Sequence, residues 1–363
     1  MKKRKEGKYD YLVIAIIFVI FIMIISGDGN VKQPYINIKN LRIRNIFQFK
    51  RVFKEPSLTF ELKDEGYDIF VPVGNGYRYG PSIMYYEDGT MDAWFASNGN
   101  SREWDWITYR HFDGEKWSDE EIALRPTKNS LDHYSTCDPG AICFNGYYYI
   151  GYTSTTNATG GGVENNIFVA RSKNPEGPYE KWSGDGWGDD PIPIIEYNEH
   201  DLQWGAGEIS FVIVNEKLYC YYTWICSDGY YMKLATADLS ENWPETLKEK
   251  GVVLTRVNNQ GSFDVVYNDT FEKFLAVGVE GNFNNDSSLA LYVSDDGINF
   301  KQTDTIGPIN NFAHNMGLSK KPNGHIDLGD DLVVGYAYSK YNRNIWGRWA
   351  TRIQGIELKV TTK

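Results

Sequence analysis

The sequence contains few of the residues that build disulfide frameworks or zinc sites. Its 363 residues include only four cysteines and five histidines. The cysteines show no CxxC spacing and no nearby histidines suited to zinc, so free thiols are expected in preference to a disulfide. The four are Cys137, Cys143, Cys220 and Cys226.

The sequence has no excess of positive charge, because its formal net charge at pH 7 is −11. Residues 1–55 nevertheless carry 12 Lys or Arg against 4 Asp or Glu, which leaves a net charge of −19 on the rest of the chain. An acidic folded domain repels phosphate backbones. The composition therefore argues against nucleic acid as a partner.

One long apolar run stands out, Leu12–Ile25, and five basic residues precede it. Fourteen residues are short for a membrane span and typical of a signal-peptide core, but the flanking residues extend the run to seventeen. No small-x-small cleavage site follows, which favours an uncleaved signal anchor over a removed signal peptide. We predict a cytoplasmic tail and membrane anchor in residues 1–27, a basic stem in 28–56, and an extracytoplasmic domain in 57–363, on a single-pass protein of the cell membrane.

The remaining chain repeats one pattern five times: a strand, a turn such as Asp-Gly or Asn-Gly, and a second strand rich in aromatic residues. The five units are Tyr79–Asn98, Thr136–Thr155, Gly205–Trp224, Gly261–Glu280 and Ala313–Tyr338. Regular repetition at this spacing predicts an all-β, five-bladed β-propeller. In that fold the first strand of each blade lines the central channel. Residues 57–73 alternate like a strand, and we expect them to pair with residues 346–360 and close the ring.

Three of these units open on distinctive residues. Asp138-Pro139 opens the second, Gly205–Glu208 the third, and His314-Asn315 the fifth. This layout resembles glycoside hydrolase family 43 and its relatives over about residues 72–363. The resemblance implies hydrolysis of arabinose-, xylose- or galactose-containing polysaccharides with inversion. It also implies three channel carboxylates: a base Asp on blade one, an orienting Asp on blade two and an acid Glu on blade three.

Carried over by position, Asp138 takes the orienting role and Glu208 the general acid. The chemistry needs one carboxyl that stays protonated near neutral pH and one ionised carboxylate that activates water. Repulsion from Asp138 would favour the protonated form of Glu208. Blade one departs from the pattern, because Gly80 stands where the family has its base.

The predicted substitute base is Asp264, near the entry of blade four, although strand alternation could turn it away from the channel. Weaker candidates are Asp132, Asp105 and Asp92.

The resemblance assigns His314 to the channel axis, where it would help to hold a calcium ion or its waters; no cofactor is required for the reaction itself. The predicted substrate-binding residues are Arg78, Tyr79, His133 and Trp204. Trp204 and Tyr79 are candidate sugar platforms, and Arg78 would pair with an acidic sugar or with Asp138.

Two other functions compete with the hydrolase. Ser294–Phe300 fits the Asp-box turn of sialidases, but such turns lie far from the active site, and no arginine triad with a nucleophilic tyrosine is found. The stronger alternative is a catalytically silent propeller that binds glycans or helps to assemble a surface polysaccharide. Gly80 favours this alternative, whereas the Asp138 and Glu208 pair argues against it.

Overall fold

The structure is a computed structural model that describes residues 57–72, 76–99, 104–188, 190–256, 260–341, 343 and 345–361. The predicted anchor (1–27) and stem (28–56) lie outside these residues. Within the described part of the chain, no helix is long and apolar enough to cross a membrane. The same residues contain no α-helix, only two short 3-10 helices, Thr159–Gly161 and Trp243–Thr246.

The strands form five sheets. Before the first blade come β1 (Ser57–Leu62) and β2 (Tyr67–Phe70). Blade one contains β3 (Arg78–Tyr85), β4 (Met91–Ser97), β5 (Trp106–Phe112) and β6 (Glu121–Leu124). Blade two contains β7 (Cys137–Phe144), β8 (Tyr147–Ser154), β9 (Asn166–Ser172), β10 (Glu180–Trp182) and β11 (Trp187–Gly188). Blade three contains β12 (Gly205–Val214), β13 (Lys217–Cys226), β14 (Gly229–Asp238) and β15 (Lys248–Arg256).

Blade four contains β16 (Gln260–Asn268), β17 (Lys273–Glu280), β18 (Ser288–Ser294) and β19 (Lys301–Ile306), with β21 (His325–Ile326) added in parallel to β16. Blade five contains β20 (His314–Leu318), β22 (Leu332–Ser339) and β23 (Trp349–Thr361). Apart from β21, the strands of each blade pair antiparallel with their neighbours, as the turn dipeptides predict. The predicted all-β, five-bladed architecture is confirmed.

The ring closes through the N-terminal strand. β1 pairs antiparallel with β23 and forms the outer strand of blade five, with Ser57 opposite Thr361 and Leu62 opposite Ile356. The alternate residues Leu58 and Phe60 are buried. This pairing confirms the closure predicted from strand alternation, and it removes a free sheet edge.

Glycines let the innermost strands approach one another closely. A Cβ atom at Gly140 would lie 1.9 Å from the carbonyl oxygen of Ile209, and one at Gly317 would lie 1.9 Å from that of Pro81. Neither distance is compatible with a side chain. The two glycines therefore allow blade two to contact blade three, and blade five to contact blade one, around the axis.

A segment from blade five, Ser319–Ile326, closes one end of the channel; we call it the floor segment. Its backbone bonds to the innermost strands of the other four blades: Lys320 N to Ile83 O (3.1 Å), Cys143 N to Pro322 O (2.7 Å), Ile213 N to Asn323 O (3.0 Å) and Tyr267 N to Gly324 O (3.1 Å). One segment thus ties all five blades together at the axis.

The Asp-box motif lies outside the axis and is structural. Ser294–Phe300 forms the turn between β18 and β19, where Asp296 Oδ1 accepts hydrogen bonds from the backbone nitrogens of Ile298 and Asn299, each at 2.8 Å. The four cysteines are free; Cys220 is buried and the other three are partly exposed.

Candidate active site

The five innermost strands share an irregularity close to their first residues. Each carries a bulge, between Tyr79 and Ser82, Cys137 and Gly140, Gly207 and Ser210, Gln260 and Phe263, and His314 and Met316. In four strands the bulge contains a residue with positive φ: Gly80 (56°), Asp138 (48°), Glu208 (51°) and Asn315 (43°). Bulges re-aim side chains. Here they turn equivalent residues of four blades toward one axial cavity.

The cavity is lined by residues from all five innermost strands. Its polar lining includes Asp138, Glu208, Ser262, Asp264 and Asn315. Blade one contributes Gly80 and therefore no carboxylate at its bulge. The sequence placed Asp138 and Glu208 in this cavity from the openings of their strands, and the structure brings the two together.

Asn315 joins the two carboxylates. Its Nδ2 group donates to Asp138 Oδ1 at 3.2 Å and to Glu208 Oε1 at 3.0 Å. Sequence reasoning singled out the neighbouring His314 and missed this contact. The signal was present, since Asn315 occupies in blade five the position that Asp138 occupies in blade two.

The buried position of Asp138 strongly perturbs its electrostatics. Burial raises the pKa of Asp138 to about 8, and the charges of Glu208 and Asp105 add to the effect. Desolvation and nearby negative charge both disfavour the ionised carboxylate. The pair is therefore expected to hold one proton at neutral pH.

Glu208 lies in a more polar environment. The Thr223 hydroxyl donates to Glu208 Oε2 at 2.7 Å, and Arg256 Nη1, which donates to the same threonine at 2.9 Å, lies 3.9 Å from that oxygen. Arg256 is buried at the end of β15, the outermost strand of blade three. Nothing in the local sequence linked this distant arginine to Glu208.

The proton held by this pair predicts a pH-dependent stability. In the unfolded chain an Asp ionises near pH 4, at about 3.9, so between about pH 4 and 8 the folded state binds a proton that the unfolded state lacks. The free energy of unfolding must then fall as pH rises through this window. We expect Asp138→Asn to remove much of this fall and to melt at a higher temperature than the wild type at pH 9. Thermal melts of both proteins from pH 5 to pH 9 would test this, and parallel pH profiles would contradict it.

Blade one places a carboxylate near the cavity by another route. Asp105, just before β5, accepts hydrogen bonds from the hydroxyls of Tyr77 (Oδ1, 2.5 Å) and Tyr79 (Oδ2, 2.6 Å). Burial raises the pKa of Asp105, while these two hydrogen bonds oppose the shift. Tyr79 directly precedes Gly80, so Asp105 is linked through Tyr79 to the strand that lacks a carboxylate at its bulge, although Asp105 itself does not line the axial cavity.

Asp264, the predicted substitute base, lines the cavity but is already engaged. Its Oδ1 accepts from Lys320 Nζ and Ser210 Oγ, both at 2.6 Å, and its Oδ2 accepts from the backbone nitrogen of Leu318 at 2.9 Å. Lys320 belongs to the floor segment and is almost fully buried. Asp264 therefore anchors the floor segment, two residues beyond the bulge of its strand.

The two other carboxylates considered from sequence are also bound elsewhere. Asp132 accepts from Lys181 Nζ and from the Tyr152 hydroxyl, between blades one and two. Asp92 accepts from the hydroxyls of Tyr86 (2.6 Å) and Tyr109 (2.5 Å). Neither residue lines the axial cavity.

The predicted substrate-binding residues divide into two groups. The Trp204 ring packs against Gly207, where a Cβ would lie 2.5 Å from it, and so lies next to Glu208. Tyr79 is partly exposed beside Gly80.

Arg78 and His133 lie farther out. Arg78 forms an ion pair with Glu120 (Nη2 to Oε2, 2.5 Å), and it lines a separate small cavity with Phe70 and Arg110 rather than the axial one. His133 is exposed, and its ring contacts that of Tyr134 in a tilted arrangement, with ring centroids 4.2 Å apart.

His314 does not line the axial cavity. Its ring is buried between Phe283 and Trp349, with both centroid distances 4.4 Å, and burial lowers the pKa of His314 to about 3. Among the described residues, no three His, Cys, Asp or Glu side chains come together in a way that could hold a metal ion. The residues therefore do not fit the predicted calcium, and no step of the chemistry below uses one.

Comparison with known proteins extends the result on the fold. No family model matches the sequence, and no curated protein matches it either. Solved structures do match. A family 117 glycoside hydrolase from the marine bacterium Zobellia galactanivorans is 15% identical, with a TM-score of 0.60 over 84% of this chain and 90% of that chain. A thermostable family-43 glycoside hydrolase is 14% identical, with a TM-score of 0.55 over 82% and 96% of the two chains.

The α-L-arabinofuranosidase of Podospora anserina, solved in complex with cellotriose, is 11% identical. Its TM-score is 0.57, over 83% of this chain and 97% of that one. Identities this low establish the fold alone. The chain described here has the five-bladed propeller fold of these glycoside hydrolases, as its resemblance to family 43 predicted.

Proposed function

We propose that the protein is a glycoside hydrolase that cleaves an oligosaccharide or polysaccharide in the axial cavity. The observation that carries the proposal is the Asp138–Asn315–Glu208 arrangement, in which one amide group links two carboxylates from different blades. A shared proton between closely placed carboxyls is a standard source of general acid chemistry. The similarity to glycoside hydrolase propellers supports a glycan as the ligand.

Glu208 is the proposed general acid. It is the more exposed member of the pair, whereas Asp138 is buried. The proton of the pair passes to the leaving glycosidic oxygen as the bond from that oxygen to the anomeric carbon breaks. Water attacks the opposite face of the sugar, and the reaction inverts the anomeric centre. Asp138 orients Glu208 and maintains the proton on the pair.

Aromatic side chains beside the cavity suit a sugar substrate. Trp204 packs against Gly207, next to Glu208, and Tyr79 directly precedes Gly80. Aromatic faces pack against the apolar faces of sugar rings. We also propose that Leu12–Ile25 anchors the chain in the cell membrane, with the propeller facing surface or extracellular glycans.

The hydrolase is tested by incubating the purified full-length protein with arabinan, xylan, galactan and bacterial surface polysaccharides. New reducing ends are measured, and the products are sized by chromatography. We expect one polysaccharide class to be shortened, and NMR of the initial product to show an inverted anomer. A retained anomer would contradict the inverting chemistry.

The alternative is a propeller that binds a glycan without cleaving it. Gly80 is the observation that favours this function, because blade one supplies no carboxylate at its bulge. A binding protein would retain an intact oligosaccharide in a co-sedimentation or calorimetric assay. Measurable binding with no new reducing ends on any substrate would select this alternative.

A further inference from the structure

The pair of Asp138 and Glu208 leaves one role in the proposed hydrolysis unfilled. Inversion requires a second, ionised carboxylate that takes a proton from water, separated from the acid by about 6.5–9.5 Å to leave room for that water. Asp138 and Glu208 both accept from Asn315 Nδ2, so their bonded oxygens lie within about 6 Å of each other. The two carboxyls also share the proton that the acid donates, so neither is the ionised base. The base must therefore be a third carboxylate.

Asp105 is placed to be that group. Its carbonyl oxygen accepts from the backbone nitrogen of Thr136 at 2.8 Å, which fixes it beside the start of β7, two residues before Asp138. Its two carboxylate oxygens each accept one tyrosine hydroxyl, from Tyr77 and Tyr79. Each oxygen keeps a second lone pair for water. Asp105 is also partly exposed.

Asp264 lines the cavity directly, but it is less suited to this role. Asp264 accepts from Lys320, Ser210 and the Leu318 backbone, and the buried lysine neutralises its charge. A carboxylate that takes up a proton there would leave Lys320 as an uncompensated buried cation. Among the described residues, the hydrogen-bond partners of the Asp105 carboxylate are tyrosine hydroxyls, which can follow a change in its charge.

We infer that Asp105 is the general base of the reaction proposed above, held by Tyr77 and Tyr79 in place of the carboxylate that blade one lacks at Gly80. The inference rests on the proposed hydrolase. One water proton moves to Asp105 while the water oxygen bonds to the anomeric carbon. The bond to the leaving oxygen breaks at the same time, and that oxygen takes the proton from Glu208. The base, the orienting residue and the acid then lie on blades one, two and three.

Gly80 provides a way to test this by restoring a carboxylate. A Cβ at Gly80 would lie 3.6 Å from Asp138 and 3.9 Å from Asn315, which are ordinary contact distances. Its φ of 56° is close to the φ of Asp138, Glu208 and Asn315, so a polar residue adopts this conformation at the equivalent positions. Gly80→Asp should therefore fold and place a carboxylate in the cavity.

Four proteins are compared on a 4-nitrophenyl glycoside and a polysaccharide: the wild type, Asp105→Asn, Asp105→Asn/Gly80→Asp, and the control Asp68→Asn. Asp68 also accepts a tyrosine hydroxyl, from Tyr338, but at the outer edge of blade five. We expect Asp105→Asn to lose about 10²–10⁴-fold in kcat and the acidic limb of its pH profile, with glycan binding and melting temperature retained. The double variant should recover at least about tenfold, and the control should match the wild type.

A second measurement tests the base directly. On the 4-nitrophenyl glycoside, Asp105→Ala should be accelerated by sodium azide, because azide bonds to the anomeric carbon without needing a base and the aryl oxide leaves without needing an acid. A glycosyl azide of inverted configuration is the expected product. Absence of azide acceleration in a folded, glycan-binding Asp105→Ala would overturn the assignment.

The failures of the two proposals differ. If Asp105→Asn hydrolyses as fast as the wild type, the base lies elsewhere and the hydrolase stands. If the wild type is silent on glycans that it binds, the hydrolase is refuted and the role of Asp105 with it. If the wild type is inactive and hydrolysis appears only when Gly80→Asp is introduced, Asp105 does not act as a base.

Discussion

Glu208→Gln is expected to lower kcat/KM on polysaccharide by about 10²–10⁴-fold while leaving glycan binding unchanged within about threefold. The amide keeps the shape of the side chain and can still accept from Thr223, whose hydroxyl lies 2.7 Å from Oε2. It cannot donate the proton that the leaving oxygen needs. The loss should therefore fall on turnover rather than on binding.

A leaving-group series separates an acid from a merely structural residue. The 2,4-dinitrophenolate of an aryl glycoside leaves without being protonated. Glu208→Gln should therefore retain most of its activity on a 2,4-dinitrophenyl glycoside and lose its activity on polysaccharide. Glu61→Gln, an exposed change on β1, is the matched control. Equal losses on both substrates would show that Glu208 is not the general acid.

Lys320→Met is expected to destabilise the protein by about 3–5 kcal/mol, because it leaves the carboxylate of Asp264 buried without its cation. The Lys320 side chain is 2% exposed and that of Asp264 10%. The floor segment carries this lysine and bonds to all four other blades, so its loosening should weaken the whole ring. Urea denaturation followed by tryptophan fluorescence would measure the change in the free energy of unfolding.

Two further variants sharpen this result. Lys321→Met, in the same segment, breaks a partly exposed pair with Asp327 and should cost about 1 kcal/mol or less. Lys320→Met/Asp264→Asn removes both charges and should be more stable than Lys320→Met alone, since no unpaired charge remains. Equal stability of the Lys320 and Lys321 variants would show that the buried pair does not hold the floor segment.

The blades could be predicted from the sequence because their information is local. An antiparallel hairpin is specified by a turn dipeptide and by alternation on either side of it, as in the strands around Asn145-Gly146. The same locality placed Asp138 and Glu208 in the cavity, since each stands at the bulge of an innermost strand. Even the closing strand, β1, could be predicted from its own alternation of apolar and polar residues.

The partners of those residues depend on the ring as a whole. Asn315 meets Asp138 across 177 residues of sequence, and Lys320 meets Asp264 across 56. Contacts between residues so far apart in the sequence leave no local pattern. The sequence therefore predicted His314 at the axis and Asp264 as the base, without their actual partners. By itself the sequence determined five blades and two carboxylates facing one channel. Only the tertiary structure decided which groups surround each carboxylate, because burial and charge at the axis arise where strands from distant parts of the chain converge.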